Sequence, residues 1–470
     1  MNNMDRGKSP GKDGYIQEFF IANWETVKSN LKYELDVFHE KAIVPKGWNE
    51  TVLVIIPKNE SPSKILDFIP IALCNVLYKI LAKLIANRLR PFLGKLISLE
   101  QTAFIPGRQI QDNILIVAEI IESIHKSKAK KPYLLMKLDL QKTYDRVNWE
   151  ADYEVMKCMS FPDKMIKWIK GCLERVRYFC KINGEISNPF EAYKGIRQGD
   201  PLSPYLFILM EEIFTSIMRK YVEDERIIPF KLKEFNLSHL CFADDLIITI
   251  KGSMKSYKGM REALELYCNL TGQIINVDKL ELYFPKGVTT EKKHKICNFF
   301  SMKEGSYPMS YLGAYLGPKR IEKAYQMKLY EKVVKRMELW AKNFISQARR
   351  AVLINTVINS LPVYNLMTSK VDEKIIHNVK KVLREFFWAG NKKKGANLIS
   401  WSKVTDSRAN GGLGIRDISI MKKAMLAKRV LPMLNDVNSC WNSLFKAKYG
   451  RYTLGGLVEK RKRLIFLKLV

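Results

Sequence analysis

Two adjacent carboxylates, Asp244 and Asp245, stand in Phe242-Ala243-Asp244-Asp245 between apolar, β-like runs. Carboxylates in such a setting cost free energy unless a cation sits between them. Magnesium suits oxygen ligands and keeps open positions for phosphate. An Asp-Asp pair at a hairpin tip is also an ordinary turn device, so the pair alone leaves both readings open. A third acid, Asp139, ends a second short strand, Lys137-Leu138-Asp139, and is followed by Gln141-Lys142-Thr143-Tyr144-Asp145. Two strands that each end in acid can converge on paired divalent ions. Ions about 3.5–4 Å apart clamp the attacking and leaving oxygens of an in-line phosphoryl displacement. Asp139 by itself could be a strand-end cap or half of an ion pair; the joint pattern is much harder to meet by chance.

Between these acids lies Gly195-Ile196-Arg197-Gln198-Gly199-Asp200-Pro201-Leu202-Ser203-Pro204. Its glycines let backbone approach a flat or charged ligand, and the helix start behind it favours anions. Arg197 offers a phosphate donor, and Gln198 can hydrogen-bond near a base or sugar. A plain Gly-Asp-Pro lead into a helix is the simpler alternative.

The elements that must position these groups follow from periodicity. Residues 15–40 read as a helix, with Ile16, Phe19, Phe20 and Trp24 at helical spacing, and Val52–Pro57 as a short strand. Asn75 opens an amphipathic helix through Leu93, with Leu77, Leu81, Leu84 and Leu89 expected on one side. Gln109–Ile124 is another helix, and Tyr133–Leu140 an apolar strand. Arg177–Asn183 is a strand turned by Asn183-Gly184. Pro201 is expected as the first residue of a long helix towards Tyr221, and His239–Ile250 as strand, tight turn, strand. Long Lys/Arg-laced helices fill about 322–387, with a domain boundary before them. Lys392–Lys394 and Gly411–Gly414 mark loops, and no internal repeat is visible.

With 470 residues the chain exceeds one ordinary core, and 47% hydrophobic residues can fill two or three subdomains. That content argues against disorder. The 79 Lys and Arg against 48 Asp and Glu give a net charge of +31. A compact protein tolerates such self-repulsion best beside a polyanion, so nucleic acid is the leading partner. An anionic membrane is the rival, but no basic amphipathic stretch stands out as an anchor and no membrane span is visible. None of the eight cysteines, Cys74, Cys158, Cys172, Cys180, Cys241, Cys268, Cys297 and Cys440, forms a Cys-x-x-Cys pair. This argues against structural zinc and suits a reducing compartment. Residues 1–14 are polar and unlike a signal peptide, so secretion is not expected.

The three blocks, in this order and spacing, resemble the palm of reverse transcriptases. Flanking blocks resemble plant LINE-type (non-LTR) retrotransposon polymerases. They are Ser9-Pro10-Gly11-Lys12-Asp13-Gly14, Ile56-Pro57-Lys58, Leu77-Tyr78-Lys79-Ile80, Gln101-Thr102-Ala103-Phe104, Gly107-Arg108, Asp112-Asn113, Asn276 with Lys279, Tyr311-Leu312-Gly313, Phe387-Trp388 and Gly411–Ile415.

The resemblance implies an α+β right-hand polymerase fold of fingers, palm with antiparallel sheet, and helical thumb, plus a basic helical C-terminal region. Residues 1–130 would form the N-terminal extension and fingers, 131–285 the palm, 286–345 the palm end with primer grip and thumb start, and 346–470 the thumb and connection region. It further implies RNA-directed DNA synthesis with two Mg²⁺ ions, or Mn²⁺ in their place, held by Asp139, Asp244 and Asp245, with the Leu140 carbonyl as a further ligand. Tyr144 would screen incoming sugars for deoxynucleoside triphosphates. Gln198 and Gly199 would line the nucleotide and template pocket, with Arg197 and Lys58 also at the substrate. Lys279 would assist pyrophosphate departure, and Tyr311-Leu312-Gly313 would steady the primer end. On the residues alone, Tyr144 reads as well as a core aromatic, Lys279 as a solvated lysine, and 311–313 as a plain turn. Expected partners are an RNA template, a DNA primer or target DNA, and deoxynucleotides. No protein partner is deducible. Family habit suggests the nucleus, otherwise the cytoplasm; the basic run Lys460-Arg461-Lys462-Arg463 suits a nuclear signal or a solvated tail.

The chain departs from the family pattern in places. Ile69 stands in Ile69-Pro70-Ile71-Ala72-Leu73 where arginine is usual, removing a charge-assisted contact to triphosphate. Lys142-Thr143-Tyr144-Asp145 replaces Lys-Ala-Phe-Asp, and Leu280 follows Lys279 where a small hydroxyl residue is usual. A full element would also carry an endonuclease ahead of Ser9 and a zinc-like or ribonuclease H module after Tyr449. The expectation is therefore a copying core from a decaying element, with a catalytically inactive nucleic-acid-binding remnant as the alternative. A maturase-like RNA-folding factor ranks last.

Overall fold

The computed structural model describes residues 7–450 apart from 128, 130, 319–322, 342–344, 370, 390–397 and 435–437. The basic stretches at Lys392–Lys394 and Lys460–Arg463 lie outside the described residues.

The N-terminal helix expected over 15–40 is two helices, α1 (Gln17–Ala22) and α2 (Trp24–Lys41). Asn23 breaks it, leaving helical backbone geometry while its amide and carboxamide both donate to the Phe19 carbonyl. The strands β1 (Glu50–Pro57) and β2 (Phe68–Cys74) pair antiparallel as a hairpin. Next come α3 (Val76–Leu89) and α4 (Leu93–Leu96). The helix expected through Leu93 stops before Pro91, which cannot continue the ladder. Helical pitch buries Tyr78, Leu81, Ile85 and Leu89 along α3, and Leu84, expected among them, faces solvent.

The chain continues through α5 (Ile110–Lys126), β3 (Tyr133–Asp139), α6 (Thr143–Arg146), α7 (Trp149–Cys158) and α8 (Asp163–Leu173). The hairpin β4 (Arg177–Ile182) and β5 (Glu185–Ile186) turns on Asn183 and Gly184, both at positive φ as a primed turn requires. Its first strand runs parallel to β1, giving a four-stranded sheet in the order β2-β1-β4-β5.

The long helix α9 spans Ser203–Glu223, so it starts two residues later than expected, with Pro204 rather than Pro201 in its first turn. The cause is Asp200, whose carboxylate accepts the Leu202 amide at 2.9 Å and holds 200–202 as a turn. After it come β6 (Phe230–Leu232), β7 (Phe235–Leu237), β8 (His239–Phe242), β9 (Asp245–Lys251), α10 (Met254–Thr271), β10 (Glu281–Tyr283), α11 (Thr290–Phe300) and β11 (Lys303–Glu304).

The central sheet has the order β11-β10-β3-β9-β8, with β3 in the middle. Period-two alternation gives β3 two apolar faces. Leu135 packs with Ile114, Ile120 and Ile247 towards α5, while Leu134, Met136 and Leu138 pack with Phe214, Ile248 and Met260 towards α9 and α10. Helices thus cover both faces of the sheet and leave its strand ends to carry the acids.

A small hairpin of β12 (Met309–Tyr311) and β13 (Ala314–Leu316) precedes an all-helical remainder among the described residues. It comprises α12 (Lys323–Ala341), α13 (Gln347–Thr356), α14 (Val363–Thr368), α15 (Glu373–Ala389), α16 (Trp401–Thr405), α17 (Ile418–Leu434) and α18 (Cys440–Tyr449). Much of it shares a core around Val333, Ile354, Ile376, Leu383 and Phe387. The last helix returns to the core beside the central sheet, where Trp441, Leu444 and Phe445 join Ile114 and Ile121. No helix among the described residues is long and apolar enough to cross a membrane.

Candidate active site

The register of β3 against β9 runs from Tyr133 opposite Lys251 to Asp139 opposite Asp245. A slip of one residue would send every side chain to the other face, so the different packing partners on the two faces of β3 hold the register in which these ends meet. Phe242 in turn opposes Asp245 in the β8–β9 pair, leaving Ala243-Asp244 as the tip. Ala243 has φ +51°, a left-handed conformation that costs a residue with a Cβ. Asp139 and the Asp244-Asp245 pair, far apart in sequence, are thereby carried by neighbouring strand ends.

Burial raises the proton affinity of Asp244, and the Asp139 charge adds to it. For Asp245 burial and the charges of Asp244 and Asp139 push the pKa up to about 6. Mutual repulsion in a half-desolvated place is the condition a bound cation relieves. Asp139 already has two partners on one oxygen: the Asn276 carboxamide donates at 3.1 Å and the Lys279 ammonium lies at 3.0 Å. Thr143 donates weakly to Asp244 at 3.5 Å. The isolated bridge between Leu140 and Ile275 uses the Gln141 amide to Ile274 and the Asn276 amide to the Asp139 carbonyl, so it does not consume the Leu140 carbonyl. An all-oxygen donor set with surplus negative charge fits a hard divalent cation. The donors are adjacent rather than gathered. Among the described residues no three His, Cys, Asp or Glu side chains stand close enough to hold an ion as placed.

The other expected residues distribute unevenly. Tyr144 is half-buried, stacks on Phe207 with centroids 5.5 Å apart, and is pushed to about 12 by burial and then by Asp244. Its carbonyl accepts the Ile196 amide at 2.8 Å, and Gly195 packs so tightly on Asp145 that a Cβ would come within 2.9 Å of the Asp145 carbonyl. The glycine loop is therefore stitched to the segment after Asp139. Gln198 passes beside β2, its carbonyl accepting the Ala72 amide, and Gly199 is exposed at φ +111°.

Arg197, expected beside the substrate, has protein partners here. It is buried, its guanidinium donating to Asn49 (2.6 Å), Thr51 (3.3 Å) and the Cys172 carbonyl (2.8 Å), pairing with Asp200 at 3.2 Å and lying over the Tyr78 ring. Its donors are spent holding the loop to β1 and α8, and it is no phosphate donor as placed. Lys58 also differs from expectation. Its ammonium folds back to the Leu66 carbonyl at 2.9 Å across the β1–β2 loop, and its charge is felt at Asp145.

The turn at Leu312-Gly313, both at positive φ, closes the β12–β13 hairpin. Tyr311 is buried, Lys137 of β3 donates to the Ser310 carbonyl at 2.9 Å, and Tyr364 of α14 donates to the Leu312 carbonyl. The hairpin is thus tied to the palm sheet on one side and to the helical region on the other.

Gln101, Asn113 and Asn276, to which the sequence assigns no role, hold the acid-bearing segments. Gln101 Oε1 accepts the Ala243 amide at 3.1 Å and the Ala103 amide at 3.0 Å. Asn113 Nδ2 donates to the Cys241 carbonyl at 3.0 Å. Amide side chains carry no charge or periodicity signal; the family resemblance marks their blocks, and their placement shows what they hold.

Residues 56–316, more than half of the chain, match the family described as reverse transcriptase (RNA-dependent DNA polymerase). The chain belongs to this reverse transcriptase family. Among its relatives, the transposon TX1 uncharacterized 149 kDa protein of Xenopus laevis is 27% identical over 82% of this chain and 29% of its own length. A putative ribonuclease H protein of Arabidopsis thaliana is 33% identical over 28% of this chain and 21% of its own. The Retrovirus-related Pol polyprotein from type-2 retrotransposable element R2DM of Drosophila melanogaster is 25% identical over 52% of this chain and 22% of its own. The chain thus spans less than a third of the length of these relatives. They come from animals and a plant, so the similarity supports the non-LTR element type and not a specifically plant assignment.

Proposed function

We propose that this chain is the RNA-directed DNA polymerase core of a non-LTR retrotransposon, extending a DNA primer on an RNA template with deoxynucleoside triphosphates. The observation that carries this reading is the register that sets Asp139 opposite Asp245, with Asp244 in the adjoining turn. Family membership supports the same chemistry, since reverse transcriptases generally work with divalent metal ions.

In this reading Asp139, Asp244 and Asp245, with the Leu140 carbonyl, hold two Mg²⁺ or Mn²⁺ ions. Bound ions would supply charge for the attacking 3′-hydroxyl and the departing pyrophosphate. The chain's own residues do the positioning. Tyr144, fixed by its stack on Phe207, presents a ring edge that excludes a ribose 2′-hydroxyl. Gln198 and Gly199 offer a close, partly open backbone beside β2 for base and sugar. Lys279, exposed and paired with Asp139, can move to the leaving pyrophosphate and offer it charge or a proton. The Leu312-Gly313 turn, tied to both palm and helical region, supports the primer end.

A second reading, a nucleic-acid-binding remnant without catalysis, is favoured by Ile69. It lies half-buried in β2 opposite Ile56, so this strand position supplies no cation. Primer extension on an RNA template with Mg²⁺ separates the two. If extension appears only after Ile69→Arg, the natural chain is the remnant.

A further inference from the structure

Three blocks of the sequence, Gln101-Thr102-Ala103-Phe104, Gly107-Arg108 and Asp112-Asn113, contribute no acid to the site, yet they converge behind its turn. The segment at Gln101 runs parallel to β8 as an isolated bridge to Cys241. Cys241 donates to the Glu100 carbonyl at 2.9 Å, and Thr102 donates back to the Cys241 carbonyl at 3.1 Å. Arg108 fastens that segment from the other side, its guanidinium donating to the carbonyls of Gln101 (2.5 Å), Ile97 (2.7 Å) and Ser98. Gln101 is then rigid enough for one oxygen to receive two amides, those of Ala103 and Ala243.

Ala243 is the residue at φ +51°, and its amide belongs to the tip that presents Asp244. An alanine holds a left-handed conformation only where its surroundings over-determine it. Asn113 adds the second hold, its carboxamide donating to the Cys241 carbonyl at 3.0 Å and reaching the Tyr311 hydroxyl at 3.4 Å. Both amides are buried, and each leaves its other polar atom unpaired, Gln101 Nε2 and Asn113 Oδ1. Buried polar atoms without partners cost free energy, so these side chains are poor choices for packing alone. Apolar residues would fill the same space at lower cost.

We propose that Gln101 and Asn113 are positioning residues that lock the Ala243-Asp244 turn in the geometry needed for nucleotide transfer, and that Asn113 couples this turn to the primer-end hairpin through Tyr311. The inference rests on the polymerase reading for its catalytic part and on hydrogen bonding alone for its structural part. Neither residue touches substrate. They act by fixing the backbone from which Asp244 projects, where misplacement by about 1 Å can cost about 100-fold in rate.

The test combines amide hydrogen exchange with primer extension on the full chain, comparing the parent with Gln101→Met, Gln101→Glu and Asn113→Leu. In Gln101→Met the peptide spanning 241–245 should exchange faster while the melting temperature stays within a few degrees. The rate constant kcat should fall about 10- to 100-fold, with KM for deoxynucleotide and affinity for heteroduplex nearly unchanged. Gln101→Glu keeps an acceptor oxygen and should recover protection and much of the rate. Asn113→Leu should loosen the same peptide, and the one at 309–314 with it. Unchanged exchange at 241–245 in Gln101→Met and Asn113→Leu overturns the lock whatever the activity. Faster exchange with unchanged kcat overturns the positioning role. An inactive parent with the exchange pattern as expected counts against the polymerase reading and leaves the lock standing.

Discussion

Asp139 and Asp245 are directly opposed residues on the antiparallel strands β3 and β9, although 106 positions separate them in sequence. Their charges, with that of Asp244, repel one another at the strand ends of a packed sheet, and burial sharpens the repulsion. A sheet that needed only stability would not gather acids there. The cost is understandable if the strand ends are meant for cations, and it shapes the expectations below.

Arg197 is expected to be structural. Arg197→Ala leaves Asp200 buried beside Tyr78, whose hydroxyl donates to it at 2.6 Å, without its cation. Breaking a buried pair by removing one partner costs about 3–5 kcal/mol. Urea denaturation should show a loss of this order. A parent-like stability with a raised KM for deoxynucleotide would restore Arg197 to the substrate.

Tyr144 is expected to set sugar selection. Tyr144→Val opens space beside Phe207, and incorporation of ribonucleotides relative to deoxynucleotides should rise by about tenfold or more. Single-nucleotide incorporation with matched ribo and deoxy substrates measures this. An unchanged ratio would return Tyr144 to the role of a core aromatic.

Glu211 gives a pH signature. It is fully buried on α9, is hydrogen-bonded by Tyr267 of α10, and is pushed up to about 8, chiefly by burial, with the charges of Asp244 and Glu212 adding. Its folded pKa is above the unfolded value near 4.5. The stability it contributes is therefore complete below about 4.5 and is lost as pH rises towards 8, where the folded carboxyl also ionises. Glu211→Gln removes this dependence. The variant should melt at nearly the parent temperature at pH 5 and several degrees higher at pH 9, as thermal melts across that range would report.

Much of this was legible before folding, and the omissions have physical causes. The strand ending on Asp139, the Asp244-Asp245 turn and the Asn183-Gly184 hairpin carry strong local signals, because alternation and positive-φ residues act over a few positions. A lone arginine in a glycine loop looks the same in sequence whether its partners are phosphates or Asn49, Thr51 and Asp200. The partner of Lys58, a carbonyl across its own hairpin, leaves no mark in the sequence either. Proline suits a first turn, so Pro201 predicts the start of α9, but Asp200 captures the Leu202 amide first. The parallel pairing of β1 with β4 and the return of α18 to α5 depend on contacts between distant segments, which no local pattern encodes.

Charge predicts the mode of binding. With a net charge of +31, affinity for an RNA–DNA duplex should fall linearly with salt on a log–log plot. If 6–10 phosphates are contacted, the loss between 50 and 200 mM salt is about 10³–10⁵-fold. Fluorescence anisotropy over that range measures the slope, and a flat line would remove the basic surface from the binding account.

The most direct measurement is single-turnover primer extension on an RNA template with Mg²⁺, comparing the parent chain with Asp139→Asn and Asp244→Asn at equal heteroduplex occupancy. The account predicts deoxynucleotide addition by the parent and its loss in both variants, with binding retained. Extension that survives either substitution would contradict the claim that these strand ends form the catalytic centre.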